Sequence, residues 1–204
     1  FLIWGLIELY ETTYSTEYLK KALELNEDLL KLFWDKENGG FFLYGNDGEN
    51  LITRPKEIYD SAIPSGNSVA ALNLLRLSHL TSSYDFEDKA KQLFEVFSKE
   101  INNFPRACSF SLIALLFSKS PIRQIIVSAG SNIEEGNQVM HIIHETFNPF
   151  TISILYCNLN KDLSTISPII GNYIDINNKT TIYICENFTC KKPITDINLL
   201  KKIL

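Results

Sequence analysis

The chain repeats itself at a fixed interval, and that limits its possible folds more than any other feature. Leu6-Ile7-Glu8-Leu9 matches Leu74-Leu75-Arg76-Leu77, and Thr13 matches Thr81. Tyr18, Ala22, Leu25 and Leu29 match Phe86, Ala90, Leu93 and Phe97, every pair 68 residues apart. Self-similarity at one ungapped offset is the mark of stacked supersecondary units. Each unit holds two helices of different character. Residues 2–13 and 67–80 are apolar nearly all round, which predicts burial on most faces. Residues 16–33 and 85–101 are amphipathic. In the first of these Tyr18, Ala22, Leu25, Leu29 and Leu32 keep helical spacing, while Lys20, Lys21, Glu24, Asp28 and Lys31 cover the other face. Asp85 is placed to cap the second. Alternation of buried and half-buried helices predicts an inner and an outer layer, as in an α/α toroid, with a flat solenoid as the alternative.

The rest of the chain reads differently. Asn38-Gly39-Gly40 followed by Phe41 and Phe42 predicts a turn and a short strand, one arm of a hairpin. Residues 106–117 give one more apolar helix, and at Ser120-Pro121 the pattern changes. Ile125-Ile126-Val127, Thr151–Cys157 and Thr180–Cys185 read as strands, with helices over Glu134–Phe147 and Asp196–Leu204, which predicts parallel βαβ units. The expected fold is therefore mainly α. Residues 1–120 form the closing hairpins of a six-hairpin, glycosidase-like toroid, and residues 121–204 a small α/β tail.

Of the 204 residues 45% are apolar and 12% aromatic, enough for a substantial core, and the net charge is −5 without a basic run. That speaks against a nucleic-acid or anionic-membrane surface. No apolar stretch reaches membrane-spanning length and no signal peptide opens the chain. The first residue is Phe1, already inside an apolar helical pattern, and the only Met is Met140. This start points to a C-terminal piece of a longer protein. Cys108 and Cys157 read as buried thiols, and a reducing, cytoplasmic setting is expected. Cys185 and Cys190 lie five apart, roughly 16 Å in an extended strand, unless a turn at Glu186-Asn187 brings them together.

The chemistry-bearing residues concentrate in one loop. Arg54, Lys56, Glu57, Tyr59 and Asp60 run through Pro64-Ser65-Gly66-Asn67 into the second apolar helix. Function tends to sit on loops held by rigid scaffolds. Glu57 and Asp60 are a candidate carboxylate pair for acid/base catalysis, as in glycosidases. Arg54 and Lys56 would bind hydroxyls or an anion, Tyr59, Ser65 and Asn67 would position the ligand, and Trp34 would stack on a sugar ring. The alternative is that Arg54, Lys56, Glu57 and Asp60 form ion pairs that pin the loop, and that Trp34 packs with Phe41 and Phe42. His141 and His144 share a helix face, but no Cys or carboxylate completes a zinc set. No cofactor motif is present. Ser128-Ala129-Gly130-Ser131-Asn132 reads as an ordinary βα turn.

ENGGFF, RPKEIYD-x-AIPSGNSVAALNLLRL and Y-x-CENFTC-x-x-P-x-TD resemble the C-terminal part of the spermatogenesis-associated protein 20 family, whose bacterial members are called YyaL-type. Ser61 stands where that family more often has Gly. The resemblance covers essentially the whole chain. It implies partners in the same polypeptide: an N-terminal thioredoxin-like domain and the earlier hairpins of a toroid similar to that of sugar 2-epimerases. The acid/base His residues of those epimerases have no counterpart here. Two functions are expected from this. One is carbohydrate binding or processing, with a sugar ligand at the barrel mouth. The other is a non-catalytic scaffold that presents the redox domain to client proteins.

Overall fold

The structure is a computed structural model that describes residues 1–49, 52–186 and 189–203. It is mixed α/β and divides into two compact units. One comprises Phe1–Leu9, Glu17–Ser78 and Ser83–Lys119; the other comprises Tyr10–Thr16, His79–Ser82 and Ser120–Leu204.

The helices of the first unit follow the periodicity of the sequence. They are α1 (Leu2–Thr13), α2 (Thr16–Leu32), α3 (Gly66–Thr81), α4 (Tyr84–Val96), α5 (Ser98–Asn103) and α6 (Ser109–Lys119), with a 3₁₀ turn at Pro105–Cys108. In α3 the side chains of Val69, Ala70, Ala71, Leu74, Leu75, Leu77 and Leu80 are all buried, as an all-round apolar helix requires. In α2 only one stripe is buried, Leu19 and Ala22 among it. The repeat extends to the backbone. α1 ends at Thr13 and α3 at Thr81, and the next residues, Tyr14 and Ser82, both take left-handed φ of 55° and 60°. α2 and α4 then begin at Thr16 and Tyr84, again at equivalent positions.

Three expectations for this unit are corrected. The second outer helix is not continuous: Phe97, at φ −100° and ψ 15°, separates α4 from α5. Phe97 is buried, and its ring lies 3.3 Å from where a Cβ on Gly40 would stand. Tertiary packing thus overrides local propensity. Asp85 does not cap α4; the N-cap is Ser83, and Asp85 sits in the first turn, where its charge complements the helix dipole. The expected hairpin arm near Phe41 is a single antiparallel bridge, Trp34 to Phe41.

The second unit carries a four-stranded sheet of order β2-β1-β3-β4, from β1 (Arg123–Gly130), β2 (Thr151–Cys157), β3 (Thr181–Glu186) and β4 (Thr189–Cys190). β1 and β2 are parallel, Arg123 opposite Thr151, and are joined through α7 (Ile133–His144). α7 buries Val139, Met140 and Ile143. Its Gly136 is required, because a Cβ there would lie 2.7 Å from that of Ala129. The expectation of parallel units fails at β3, which runs antiparallel to β1, Arg123 opposite Glu186. Between β2 and β3 stand only the four-residue α8 (Leu163–Ile166) and a 3₁₀ turn at Pro168–Asn172. Parallel pairing needs a longer crossover, usually a full helix. α9 (Ile197–Ile203) closes the described chain. No helix among the described residues is long and apolar enough to cross a membrane.

Candidate functional site

The loop that precedes α3 is held by hydrogen bonds to backbone at almost every polar residue. Asp60 is the centre. Its Oδ1 accepts from the Ser65 amide at 2.8 Å and from Ser68 Oγ at 3.2 Å. Its Oδ2 accepts from the Phe110 amide at 2.7 Å and from Ser109 Oγ at 3.3 Å. One carboxylate therefore sits at the N-terminal ends of both α3 and α6, where unpaired amides and the helix dipoles favour negative charge. The Asp60 amide donates to Ala107 O at 2.6 Å, so main chain and side chain are tied to the same neighbour. Ser65 is buried and caps α3, its Oγ accepting from the Ser68 amide at 3.1 Å. Ser68 Oγ lies 2.7 Å from Ser111 Oγ, which links α3 to α6.

Asn67 works as a clamp on a separate strand of chain. Its Oδ1 accepts from the Phe41 amide at 2.8 Å, and its Nδ2 donates to Phe41 O and Glu57 O, each at 2.9 Å. The carboxamide thus pairs with a backbone as another strand would. Lys56 Nζ reaches Asp35 Oδ2 at 2.6 Å and Gly39 O at 2.5 Å. Asp35 also accepts from the amides of Glu37 and Asn38. The Lys56 ammonium, and then those amides, hold the Asp35 carboxyl well below the usual carboxylate range. Arg54 lies 4.1 Å from the centroid of the Phe42 ring and donates to Tyr44 O at 2.8 Å.

Trp34 is buried, packed edge-on to Phe41 at 4.9 Å, with Lys89 Nζ 4.6 Å from its ring centroid. Its ring is engaged within the protein. Arg54, Glu57 and Tyr59 are the three expected site residues that are exposed. Tyr59 stands edge-on to the exposed Phe104, centroids 6.1 Å apart. The loop therefore brings Asp60 and Ser65 together, holds Asn67 and Lys56 in separate fastenings, and leaves Glu57 and Tyr59 facing solvent.

A second cluster, within the other unit, was not anticipated beyond its histidine. Tyr14 Oη lies 2.9 Å from His144 Nε2 and 2.9 Å from Ser153 Oγ, and the serine and imidazole are 3.1 Å apart. His144 and Ser153 line a cavity of about 560 Å³ together with Glu11, Asn148 and Thr151. Burial, and after it the neighbouring His141, push the His144 pKa down, so its ring is held neutral. Burial likewise pushes the Tyr14 phenol up, so it stays protonated. The cluster joins hydroxyls from a helix end and a strand to one imidazole. The left-handed φ of Tyr14 was its one local signature, and that conformation cannot be read from a Tyr in sequence. Among the described residues no group of three His, Cys, Asp or Glu side chains is placed to hold a metal ion.

Cys185 and Cys190 form a disulfide across the β3–β4 pair, where they stand directly opposite each other. The expected turn at Glu186-Asn187 lies partly outside the described residues. Cys108 and Cys157 are free and buried, as expected.

A mixed α/β architecture with a helical repeat and a braced polar loop defines a class of protein rather than an activity. No family model matches the chain. It is 34% identical over 206 aligned residues to spermatogenesis-associated protein 20 of Rattus norvegicus and 33% identical to that of Homo sapiens, in each case across 100% of this chain and 26% of the relative. It is also 28% identical to an uncharacterised protein of Caenorhabditis elegans, across 100% of this chain and 27% of that protein. The chain is thus homologous, over its whole length, to one part of the spermatogenesis-associated protein 20 sequences, and it spans about a quarter of the length of these relatives.

Proposed function

We propose that this chain is a closing structural segment of a larger polypeptide, in which α1 to α6 are hairpins of an α/α toroid completed by other segments of the same protein. The observation that carries this reading is apolar surface left open on two core-like helices. Leu2 on α1 is 68% exposed, and Leu112 and Ile113 on α6 are 37% and 53% exposed. The two helices touch through Trp4 and Phe110, ring centroids 5.2 Å apart. Clustered exposed apolar side chains mark a surface that another element covers. The greater length of the relatives offers the occupant, since this chain matches only 26% of them. The loop supports the same reading, because Asp60, Lys56, Ser65 and Asn67 fasten backbone. On this reading catalysis resides in the other segments, which the family resemblance implies include a thioredoxin-like domain, and this chain presents them to client proteins.

Ile113→Glu tests the proposal. In the chain alone the residue is exposed, and the change moves stability by no more than about 0.5 kcal/mol. In the full-length protein the same carboxylate is forced into an apolar contact and costs on the order of 3 kcal/mol. Equal small effects in both would rule the docking surface out.

A second reading, carbohydrate binding at the loop, is favoured by one observation. Tyr59 and Phe104 present exposed rings, and the exposed Glu57 stands two residues before Tyr59 in the chain, a combination suited to a sugar ring and its hydroxyls. A sugar panel read by thermal melting addresses it. A stabilising sugar whose effect disappears in Tyr59→Ala supports this reading, and a flat panel with the full-length protein removes it.

A further inference from the structure

We infer that the Cys185–Cys190 disulfide is a reversible redox site, opened by a dithiol reductant that attacks Cys190 with Tyr173 assisting. The placement of the two sulfurs is unequal. Cys185 lies on β3, flanked on both sides by β1 and β4, and is 4% exposed. Cys190 lies on β4 at the sheet edge and is exposed. Only Cys190 is open to attack by a thiolate, which makes Cys185 the leaving group. Among the described residues β4 is two residues long and pairs with β3 through Cys185 to Cys190 and Glu186 to Thr189, and the chain after it stays bonded to β3 through Lys191 N to Ile184 O and the Ile182–Ile194 bridge, so opening the disulfide disturbs little of the sheet.

Tyr173 supplies the chemistry that a merely stapling disulfide does not need. Its Oη stands 3.4 Å from Cys190 Sγ and 3.7 Å from Cys185 Sγ, and its ring is fixed edge-on to Tyr183 at 5.0 Å. Burial raises the phenol pKa, so the group remains an O–H donor at neutral pH. Cations also stand close by: Lys191 follows Cys190, and Lys191 and Arg123 both pair with Glu186, next to Cys185. Positive charge and hydrogen-bond donors beside a sulfur favour its thiolate.

The reaction follows from this geometry. A thiolate of the dithiol bonds to Cys190 Sγ, the Cys185–Cys190 bond breaks, and its electron pair leaves on Cys185 Sγ, which accepts a hydrogen bond from Tyr173 and then a proton from water. The second thiolate of the reductant attacks its own sulfur in the mixed disulfide and releases Cys190. Two electrons and two protons pass to the protein, and the dithiol becomes a disulfide. Cys108 and Cys157, both buried, take no part.

The test is differential alkylation of the folded protein after exposure to dithiothreitol, with peptide mapping. The expected result is labelling of Cys185 and Cys190 under native conditions, lost again on reoxidation, with Cys108 and Cys157 unlabelled. Tyr173→Phe keeps the ring and removes the donor, and it is expected to slow reduction about fivefold, the effect of one hydrogen bond. A bridge that opens only when the chain is unfolded overturns the proposal without need of any variant. A Tyr173→Phe protein reduced at the wild-type rate overturns the assisting role.

Discussion

Arg76 and Glu8, which occupy the same position in successive copies of the 68-residue repeat, form an ion pair, Nη1 to Oε1 at 2.5 Å. The neighbours in the repeat are thus neighbours in space: α1 and α3 lie side by side with equivalent residues in contact. The two partners differ in exposure, the Arg76 side chain at 9% and that of Glu8 at 56%. Glu8→Ala is expected to cost about 0–1 kcal/mol, as for a solvent-screened pair. Arg76→Ala removes the packing of a buried stem as well, and is expected to cost about 1–3 kcal/mol. Urea melts of the two variants check the order.

The repeat-equivalent turns after α1 and α3 make a second prediction. Ser82 is exposed and holds a φ of 60°, a conformation that costs an L residue roughly 1 kcal/mol and Gly almost none. Ser82→Gly is therefore expected to stabilise the protein by up to about 1 kcal/mol, and Ser82→Val to destabilise it, in thermal melts. Tyr14 has the same backbone but places its hydroxyl on His144 and Ser153, so Tyr14→Gly is expected to lose stability despite the relief of strain.

Asp60 separates a brace from a catalyst. Two helix N-termini depend on its carboxylate, so Asp60→Ala is expected to cost about 1–4 kcal/mol, with Asp60→Asn intermediate because one acceptor oxygen is kept. A proton-transfer residue would behave differently: Asp60→Asn would leave the melt unchanged while turnover vanished. Denaturant unfolding of both variants distinguishes the two.

The Lys56–Asp35 pair predicts an acid dependence. Its folded-state carboxyl is depressed, chiefly by the Lys56 ammonium, so the unfolded chain binds the proton more readily. The stability it contributes is fully present above the unfolded value, about pH 4, and is lost as pH falls from there through the folded value. Lys56→Met is expected to lower stability at pH 7 and to flatten that acid limb. Unfolding free energies of both proteins between pH 7 and pH 2 check this.

Much of the helical half was legible in the sequence because its signals are local. The repeat places Thr13 with Thr81, and both end a helix. Leu74, Leu77 and Leu80 mark a helix buried all round. The breaks were not legible: Phe97 carries no Gly or Pro signal, and the chain bends there to suit packing near Gly40. The direction of β3 was hidden for a similar reason, since residues 158–180 lack the periodicity that would reveal α8 and the 3₁₀ turn as too short for a crossover. For the loop, residue types alone could not say whether donors and acceptors meet a ligand or a backbone. By residue type Asn67 suits a ligand contact as well as the main-chain partners, Phe41 and Glu57, that its carboxamide meets. The Tyr14, His144 and Ser153 cluster joins residues 130 and 139 positions apart, which no local pattern announces.

The proposed docking of α6 against the rest of a full-length protein is tested most directly by hydroxyl-radical footprinting, which reads side-chain exposure residue by residue. Leu112 and Ile113 are expected to label strongly in this chain alone and several-fold less in the full-length protein, while Leu159, 81% exposed, labels alike in both. Equal labelling of Leu112 and Ile113 in the two proteins would contradict the proposal that this face closes against other segments of the same polypeptide.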